Sequence, residues 1–448
     1  MNLMAKEQPQ QNHKVGRELM LIDGQWVVSM EGQFISVENP GRRGTIVGEV
    51  PRAKAEDVDR AVNAASKAFE KWKRVSPRDR GKLMLKIGDA LEAKMDEIAR
   101  IISLETGNAI RTQSRPEAML TADLFRYFGG VASELKGETV PLGENLLSYS
   151  RREPLGVVGG IIPWNSPLAL GALKITMAIT AGNALVLKPS SEAPLAVLLM
   201  ARICSEFLPR GVLNVVTGTG SECGIPLAKH PLLRKLSFTG SLEVGKTIME
   251  AAAERIVPIT LELGGKSPQI VFPDSDNPPV VEGVIQAMRF TRQGQSCTAG
   301  SRLFLHESIY DSFLEKLIKR LASFKVGDPL DESTDIGAII NRVQFEKVCS
   351  YVEDGMRQKG ARLLTGGLPP NEGPLSLGYF MEPTVIGNVR NEWRIAREEI
   401  FGPVLVTIPW EEEEEAIRMA NESHFGLAAF IWTRDLGKAL RTAHAIDS

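Results

Sequence analysis

One cysteine stands in a setting that favours reactivity over burial. In the stretch FTRQGQSCTAGSR, Cys297 lies among small and polar neighbours, with Gly294 three residues before it and Gly300 three residues after it. A core cysteine is normally surrounded by apolar side chains and acts as a small hydrophobe. Because no large apolar residue is next to Cys297, we interpret it as a candidate nucleophile, with an incidental loop cysteine as the alternative.

Two further side chains could support such a nucleophile. Glu262 lies in the apolar stretch VPITLELGGKSP, where burial would raise the pKa of its carboxyl into the range of a general base. The alternative is a glutamate on the open face of an edge strand. Asn165, in PWNSP, is either a turn former or an amide donor to a developing oxyanion.

Several predicted strand ends carry residues that suit a phosphate-containing ligand. The stretches LVLKPSS, VVTGTG and LSFTGS place Lys188, Gly218, Gly220, Gly240 and Ser241 at the carboxyl ends of strands. Open parallel sheets bind ligands at that edge, and the free N–H groups of a helix N-terminus can bind a phosphate. Since the spacing differs from G-x-G-x-x-G, glycines that serve only tight turns are the alternative.

The elements around these residues predict an α/β protein. AEDVDRAVNAASKAFEKW and the stretch from Ser76 to Gly107 are helical, with apolar residues every three or four positions and helix start and stop signals. From Pro154 to about Gly264 short apolar runs alternate with helical patterns, which predicts a doubly wound parallel sheet. A second α/β series follows through RLFLH, PVLVTI and AAFIWT. The acidic run Glu411–Glu415 is expected to begin a helix.

Composition limits the class of protein. With 448 residues the chain is longer than a single core supports, so two or three domains are expected. The 53 basic and 55 acidic residues leave no positive excess for nucleic acid or an anionic membrane surface. Four cysteines without paired spacing predict no metal site, no disulfide framework and a reducing, cytoplasmic location. MNLMAKEQPQQNHKV has no apolar core of a signal peptide, which predicts a disordered start without export, and no apolar run is long enough to span a membrane.

Six motifs occur in the order and approximate spacing of the aldehyde dehydrogenase superfamily, which this chain resembles over nearly its whole length. They are IIPWNSPL, LVLKPSSEAP, FTGSLEVG, LELGGKSP, GQSCTAGSR and EEIFGPV. The resemblance implies an aldehyde dehydrogenase-like α/β fold in three parts. These are a Rossmann-like cofactor domain (residues 1–130 and 154–264), a small oligomerisation arm (131–153) and a second α/β catalytic domain (265–448).

The resemblance also implies the oxidation of a small aldehyde to the carboxylic acid with NAD or NADP. Cys297, with a lowered pKa, would attack the aldehyde and form a thiohemiacetal and then a thioester. Asn165 and the backbone N–H of Cys297 would stabilise the oxyanion, and Glu262 would activate the hydrolytic water. A CoA-acylating enzyme, against which Glu262 argues, and an inactive protein with the same fold are the alternatives.

A set of cofactor-binding residues follows from the same resemblance. They are Ile161, Trp164 and Phe401 as apolar walls, Gly218, Gly240 and Ser241 in glycine-containing turns, and Lys188, Ser191 and Glu399 near the two riboses. Many NAD-preferring members have a glutamate at the position of Ser191, where its charge repels a 2′-phosphate. Either NAD or NADP is therefore expected.

Substrate and assembly are specified less closely. Ser166 stands beside Asn165 where the family often has a bulky aromatic residue, and Thr291 and Arg292 precede the nucleophile. We therefore expect a wider or more polar substrate tunnel than in enzymes for small aliphatic aldehydes. The family continues for several tens of residues past the position of Ser448, so the resemblance implies a C-terminally incomplete chain of uncertain activity. When complete, the protein is expected to be a homo-oligomer, either a dimer or a tetramer.

Overall fold

The structure is a computed structural model that describes residues 16–447. The segment from Met1 to Val15, where a disordered start is predicted, lies outside the described residues. Within the described range the α-helices are α1 (Ala55–Trp72), α2 (Pro77–Glu92), α3 (Met95–Thr106), α4 (Arg115–Gly130), α5 (Pro167–Thr180), α6 (Leu195–Ser205), α7 (Ile225–Lys229), α8 (Leu242–Ala253), α9 (Pro278–Ala287), α10 (Tyr310–Leu321), α11 (Arg342–Arg357), α12 (Arg394–Arg397), α13 (Glu413–Asn421) and α14 (Leu436–Ala445).

The strands form four sheets. They are β1 (Gly16–Arg17), β2 (Met20–Ile22), β3 (Gln25–Val27), β4 (Phe34–Glu38), β5 (Ile46–Pro51), β6 (Thr139–Pro141), β7 (Leu147–Tyr149), β8 (Val157–Ile161), β9 (Ala184–Lys188), β10 (Leu213–Val215), β11 (Leu233–Thr239), β12 (Ile259–Glu262), β13 (Pro268–Val271), β14 (Arg302–His306), β15 (Arg362–Thr365), β16 (Thr384–Gly387), β17 (Val404–Trp410) and β18 (Phe430–Trp432).

A seven-stranded sheet has the order β12-β11-β8-β9-β10-β2-β3, and the five strands from β12 to β10 are parallel. Strand β9 shows why helices cover both faces of this sheet. Leu185 and Leu187 pack into one hydrophobic cluster, and Ala184 and Val186 pack into another. Alternate side chains of a strand point to opposite faces, so a strand that is apolar throughout is buried on both sides. The predicted doubly wound sheet is confirmed.

A second, six-stranded sheet has the order β15-β16-β17-β14-β13-β18 and is parallel except for β15. Its strand β14 follows the same rule, because Phe304 packs into one cluster whereas Leu303 and Leu305 pack into another. The predicted strands RLFLH, PVLVTI and AAFIWT correspond to β14, β17 and β18. The acidic run contributes the first residues of α13, where Glu413 to Glu415 occupy the first turn, as its charges favour.

Strands also occur before and between the predicted elements. Residues 16–51, for which no element is predicted, form β1 to β5. Strands β2 and β3 extend the seven-stranded sheet in the antiparallel sense. The stretch NLLSYSRREPLGVVGGIIPW, whose alternating, valine- and isoleucine-rich pattern predicts a strand, contains two strands in different sheets, β7 and β8, because residues 150–156 belong to no strand.

The predicted boundaries between the cofactor domain, the arm and the catalytic domain lie between strands of different sheets. The strands of the seven-stranded sheet lie in residues 20–27 and 157–262, those of the six-stranded sheet in 268–432, and the ribbon of β6 and β7 in 139–149. The division into domains remains a proposal. No helix in residues 16–447 is long and apolar enough to cross a membrane. In the same residues, no group of three or more His, Cys, Asp or Glu side chains is arranged to hold a metal ion.

Candidate active site

Cys297 lies in a tightly bonded loop between α9 and β14. Backbone hydrogen bonds within the loop stabilise it, among them Gln295 N to Arg292 O at 2.9 Å and Ala299 N to Ser296 O at 3.1 Å. Gly294 has a φ of 63°, and a Cβ there would run into the backbone of Gly402. A glycine is therefore required before the cysteine, and the thiol is half-buried and free.

Asn165 reaches the same loop from the turn between β8 and α5. Its side-chain Nδ2 donates a hydrogen bond to the carbonyl oxygen of Gln295 at 3.0 Å, and the side chain is buried. That bond uses one of the two amide hydrogens. The second hydrogen donates to no residue in the range 16–447, and the role of Asn165 toward an oxyanion stays a prediction.

Glu262 is the last residue of β12, at the edge of the seven-stranded sheet. Its side chain is exposed, so the expected burial is wrong, and the alternative of an edge-strand glutamate on an open face is correct. The physical reason is that β12 has a neighbour on one side only, which leaves its last side chain facing open space. The carboxylate nevertheless lines the same cavity as Cys297.

The two glycines after Glu262 bring the chain close to both neighbouring segments. A Cβ at Gly264 would lie against the carboxylate of Glu399, and one at Gly265 would lie against the carbonyl oxygen of Cys297. The N–H of Gly265 donates to Glu399 Oε1 at 3.0 Å. The two glycines thus allow the end of β12 to pack closely against the loop that carries Cys297 and against the side chain of Glu399.

Phe401 and Trp164 form an apolar wall. Their rings meet edge to face with centroids 5.3 Å apart. Phe401 has a φ of 58°, which a bulky residue rarely adopts. Gln344 of α11 stabilises that backbone, because its Nε2 donates to the carbonyl oxygens of Ile400 and Phe401, both at 2.9 Å.

A cavity of about 740 Å³ joins these groups. Eight of the sequence-predicted site residues line it: Trp164, Asn165, Gly240, Ser241, Glu262, Cys297, Glu399 and Phe401. The cavity lies where the carboxyl ends of β8, β11 and β12 meet the loops of the six-stranded sheet. This is the edge at which parallel α/β sheets bind ligands.

The pKa of the Cys297 thiol is raised, so the expectation of a lowered pKa is wrong for this structure. Burial is the largest cause, followed by the charge of Glu399, and the charge of Glu262 also raises it. Both effects oppose the thiolate. Burial likewise raises the pKa of Glu399. The Cys297 thiol is therefore less acidic than an ordinary cysteine, and it must lose its proton before it can act as a nucleophile.

Lys174 is a cavity residue that the sequence prediction missed. It projects from α5 and donates to Ser237 Oγ at 2.9 Å and to Thr239 Oγ1 at 3.0 Å. Burial lowers the pKa of this lysine to about 8, against the opposing charge of Glu262. A single lysine within the apolar run PLALGALKITMAIT was the available signal, since an isolated buried cation needs a specific reason.

Four predicted cofactor residues lie outside the cavity lining. Ile161 and Lys188 end the neighbouring strands β8 and β9 and are paired in register, and Ser191 follows three residues later. Gly218 is explained by packing, because a Cβ there would meet Cys223 at 2.7 Å and the carbonyl oxygen of Ala53 at 2.8 Å. Its part in cofactor binding remains a prediction.

Comparison with known proteins gives a consistent result. The Aldehyde dehydrogenase family model matches residues 26–448. An acetaldehyde dehydrogenase of Pseudomonas aeruginosa is 40% identical over 95% of this chain and 85% of its own length.

Two solved structures resemble this chain over most of its length. An NAD-dependent aldehyde dehydrogenase from Sinorhizobium meliloti has a TM-score of 0.93 at 41% identity, covering 96% of this chain and 85% of that one. An NAD⁺ complex of the Bacillus cereus aldehyde dehydrogenase has a TM-score of 0.92 at 36% identity, covering 96% and 87%. The chain belongs to the aldehyde dehydrogenase family.

Proposed function

We propose that the protein oxidises an aldehyde to the carboxylic acid with NAD or NADP as hydride acceptor. The observation that carries this proposal is the single cavity that brings Cys297, Asn165, Glu262 and Glu399 together from four separate segments. A thiol, an amide donor and a carboxylate beside one another are the groups that covalent oxidation of a carbonyl carbon requires. The NAD-dependent and NAD-complexed family members named above support the cofactor.

Covalent chemistry begins at the Cys297 sulfur. The Cys297 thiol loses its proton to solvent, and the sulfur forms a bond to the aldehyde carbon. The oxygen of the resulting thiohemiacetal receives hydrogen bonds from Asn165 Nδ2 and the backbone N–H of Cys297. NAD(P)⁺, when bound, would supply the hydride acceptor, and loss of the hydride from that carbon would leave a thioester on Cys297.

Glu262 then completes the turnover. Its exposed carboxylate can take a proton from a water molecule, whose oxygen attacks the thioester carbon. The carbon–sulfur bond breaks, the carboxylic acid leaves, and the thiol is restored. Lys174 lies near Glu262, because it donates to Thr239, which is paired in register with Glu262.

The residues present fit a dinucleotide. Gly240 and Ser241 line the cavity at the start of α8, where free backbone N–H groups suit a pyrophosphate. The side chain of Lys188 is buried, and its Nζ donates no hydrogen bond to any other residue in the range 16–447. The Nζ can therefore donate a hydrogen bond to a ribose hydroxyl. Glu399 would hold the nicotinamide ribose, and Trp164 and Phe401 would enclose the ring.

Hydrolysis is favoured over transfer to CoA because Glu262 is exposed to the cavity, where a water molecule can reach it. The activity is tested by incubating the purified protein with acetaldehyde and NAD or NADP, with and without CoA, while nicotinamide absorbance is followed. We expect reduction of the nicotinamide without CoA and release of acetate. Reduction that requires CoA would replace hydrolysis by acyl transfer, and no reduction with a panel of aliphatic and aromatic aldehydes would contradict the proposal.

Assembly and location are part of the same proposal. The ribbon of β6 and β7 exposes Val140, Leu147 and Tyr149, and such apolar residues on a projecting ribbon suit contact between copies of the chain. We therefore propose a homo-oligomer, a dimer or tetramer, which light scattering can test. Four free cysteines favour a reducing, cytoplasmic location.

A further inference from the structure

Arg292 joins the nucleophile loop to the turn that carries Asn165. Its Nη1 donates a short hydrogen bond to Ser166 Oγ, and its Nε donates to Gln113 Oε1 at 2.9 Å. Gln113 returns a bond from its Nε2 to Thr291 Oγ1 at 2.7 Å. The two polar residues that distinguish this loop, Thr291 and Arg292, are thus both held by partners outside it.

A buried carboxylate stands behind the arginine. Glu117 of α4 has Oε1 bonded to the N–H groups of Leu168 and Ala169 at the start of α5, at 3.1 and 3.2 Å. Its Oε2 accepts no hydrogen bond from any described residue and lies 3.9 Å from Arg292 Nη2. Burial raises the pKa of the Glu117 carboxyl, and the charge of Arg292 opposes that rise, so the guanidinium favours the ionised form.

Two consecutive residues of this turn are therefore each hydrogen-bonded to the loop that carries Cys297. Asn165 is bonded to Gln295 O, and Ser166 is bonded to Arg292, so both bonds come from the loop that carries Cys297. The direction of the remaining Asn165 amide hydrogen depends on the position of this turn. A misplacement of about 1 Å can reduce a rate about a hundredfold.

We propose that Arg292 is a positioning residue. Through its bond to Ser166 it fixes the position of the Asn165 amide relative to the Cys297 sulfur. The inference rests on the proposed function. Arg292 does not line the cavity, and its guanidinium is engaged by Ser166, Gln113 and Glu117. Its effect on the reaction therefore passes through Asn165 and not through contact with the aldehyde.

The test is a double-mutant cycle on the first turnover. Stopped-flow absorbance with NAD and acetaldehyde gives the first-turnover rate for the wild type, Arg292→Met, Asn165→Ala and the double variant. We expect Arg292→Met to slow that rate by about tenfold to a hundredfold, with the Kd for NAD unchanged and the KM for the aldehyde within about threefold. In the Asn165→Ala background the same substitution should change the rate by less than about twofold.

Two further variants separate position from charge and folding. Arg292→Lys keeps a positive charge beside Glu117, but an ammonium lacks the planar fork that reaches Ser166 and Gln113 together. We expect it to lose most of the rate too, and it decides the question if Arg292→Met does not fold. Arg357→Met is the control, because Arg357 is an exposed arginine of α11 whose ion pair with Glu353 lies outside the cavity.

Each outcome either supports or overturns the positioning role of Arg292. An Arg292→Met rate equal to the wild type, or an equal loss with and without Asn165, overturns the positioning role. So does a KM increase confined to an aldehyde with a carboxylate, such as 4-oxobutanoate, because that result assigns Arg292 to substrate binding. If the wild type forms no NADH, the proposed function fails and this inference fails with it, whereas an active wild type and an equally active variant overturn only this inference.

Discussion

The two ends of the proposed cofactor site are built in different ways. At the catalytic end, Asn165, Glu262, Cys297 and Glu399 come from four separate segments and line one cavity. At the far end, Lys188 and Ile161 end neighbouring parallel strands that fix their positions through regular pairing, with Ser191 just beyond. The catalytic end thus depends on how loops from both large sheets meet, whereas the far end depends on individual side chains at a rigid edge. Changes at the catalytic end should alter rates, and changes at the far end should alter cofactor affinity.

Removal of the thiol should have the largest effect on the catalytic end. Cys297→Ala is expected to reduce NADH formation at least about a thousandfold, because no other group forms the covalent bond. The Kd for NAD should be unchanged, since the sulfur does not hold the nucleotide. Steady-state absorbance and an NAD titration check both. A variant that remains active would exclude Cys297 as the nucleophile.

Glu262→Gln should separate the two halves of the reaction. We expect turnover to fall about a hundredfold because the water loses its base, while the first turnover falls much less. Stopped-flow traces should show one NADH per active site followed by a slow phase. If both phases fall by the same factor, Glu262 is equally needed for activating the Cys297 thiol.

At the far end, Ser191→Glu should change selectivity. A carboxylate near a 2′-phosphate is expected to weaken NADP relative to NAD by about tenfold or more, since opposed like charges are costly. Ser191→Gln adds similar bulk without charge and serves as the control. Equal losses for NAD and NADP in parallel titrations would show that this position does not contact the 2′ substituent.

The smallest expected effect concerns the reactivity of the thiol. Because burial and Glu399 raise the pKa of Cys297, the thiolate fraction at neutral pH is low and rises with pH. Alkylation by iodoacetamide should therefore accelerate steadily up to and beyond about pH 8.5, the ordinary thiol pKa. Glu399→Gln removes a negative charge, so it should lower the thiol pKa and speed alkylation at pH 7.5 about twofold to threefold.

Cys349, which is also free and half-buried, is an internal reference for that experiment. Burial also raises the pKa of its thiol, with the nearby charge of Glu353 adding to the effect, and Glu399 is not among the causes. The alkylation rate of Cys349, followed by peptide mass spectrometry, should be the same in the wild type and in Glu399→Gln. An unchanged Cys297 rate in Glu399→Gln would mean that this charge does not govern the thiol.

The sequence predicted the parts of the molecule that depend on local pattern. The fully apolar run of β9 indicated a doubly covered strand, and the six motifs in register indicated the family, and both are confirmed. The glycines after Glu262 and before Cys297 could be recognised as special, but the segments they approach could not. Close contacts such as Gly265 with Cys297 depend on the packing of two sheets, which periodicity does not encode.

The errors share a physical cause. Glu262 was expected to be buried because its neighbours in sequence are apolar, but β12 is an edge strand, and edge position depends on the order of the whole sheet. The pKa of Cys297 was expected to be lowered, yet it is raised, first by burial and second by Glu399, a residue about a hundred positions away in sequence. Lys174 was overlooked although it interrupts an apolar run, because that run does not show which strands and which cavity the lysine reaches. Each of these properties is set by residues distant in the chain.

The central claim is that Cys297 carries the acyl group between oxidation and hydrolysis, and it can be measured directly. Glu262→Gln is mixed with NAD and acetaldehyde, quenched in acid after the first turnover, digested and analysed by mass spectrometry. The account predicts an acetyl group on the peptide that contains Cys297 and none on the peptides of the other three cysteines. NADH formation without an acetylated Cys297, or with the acetyl group on another cysteine, would contradict it.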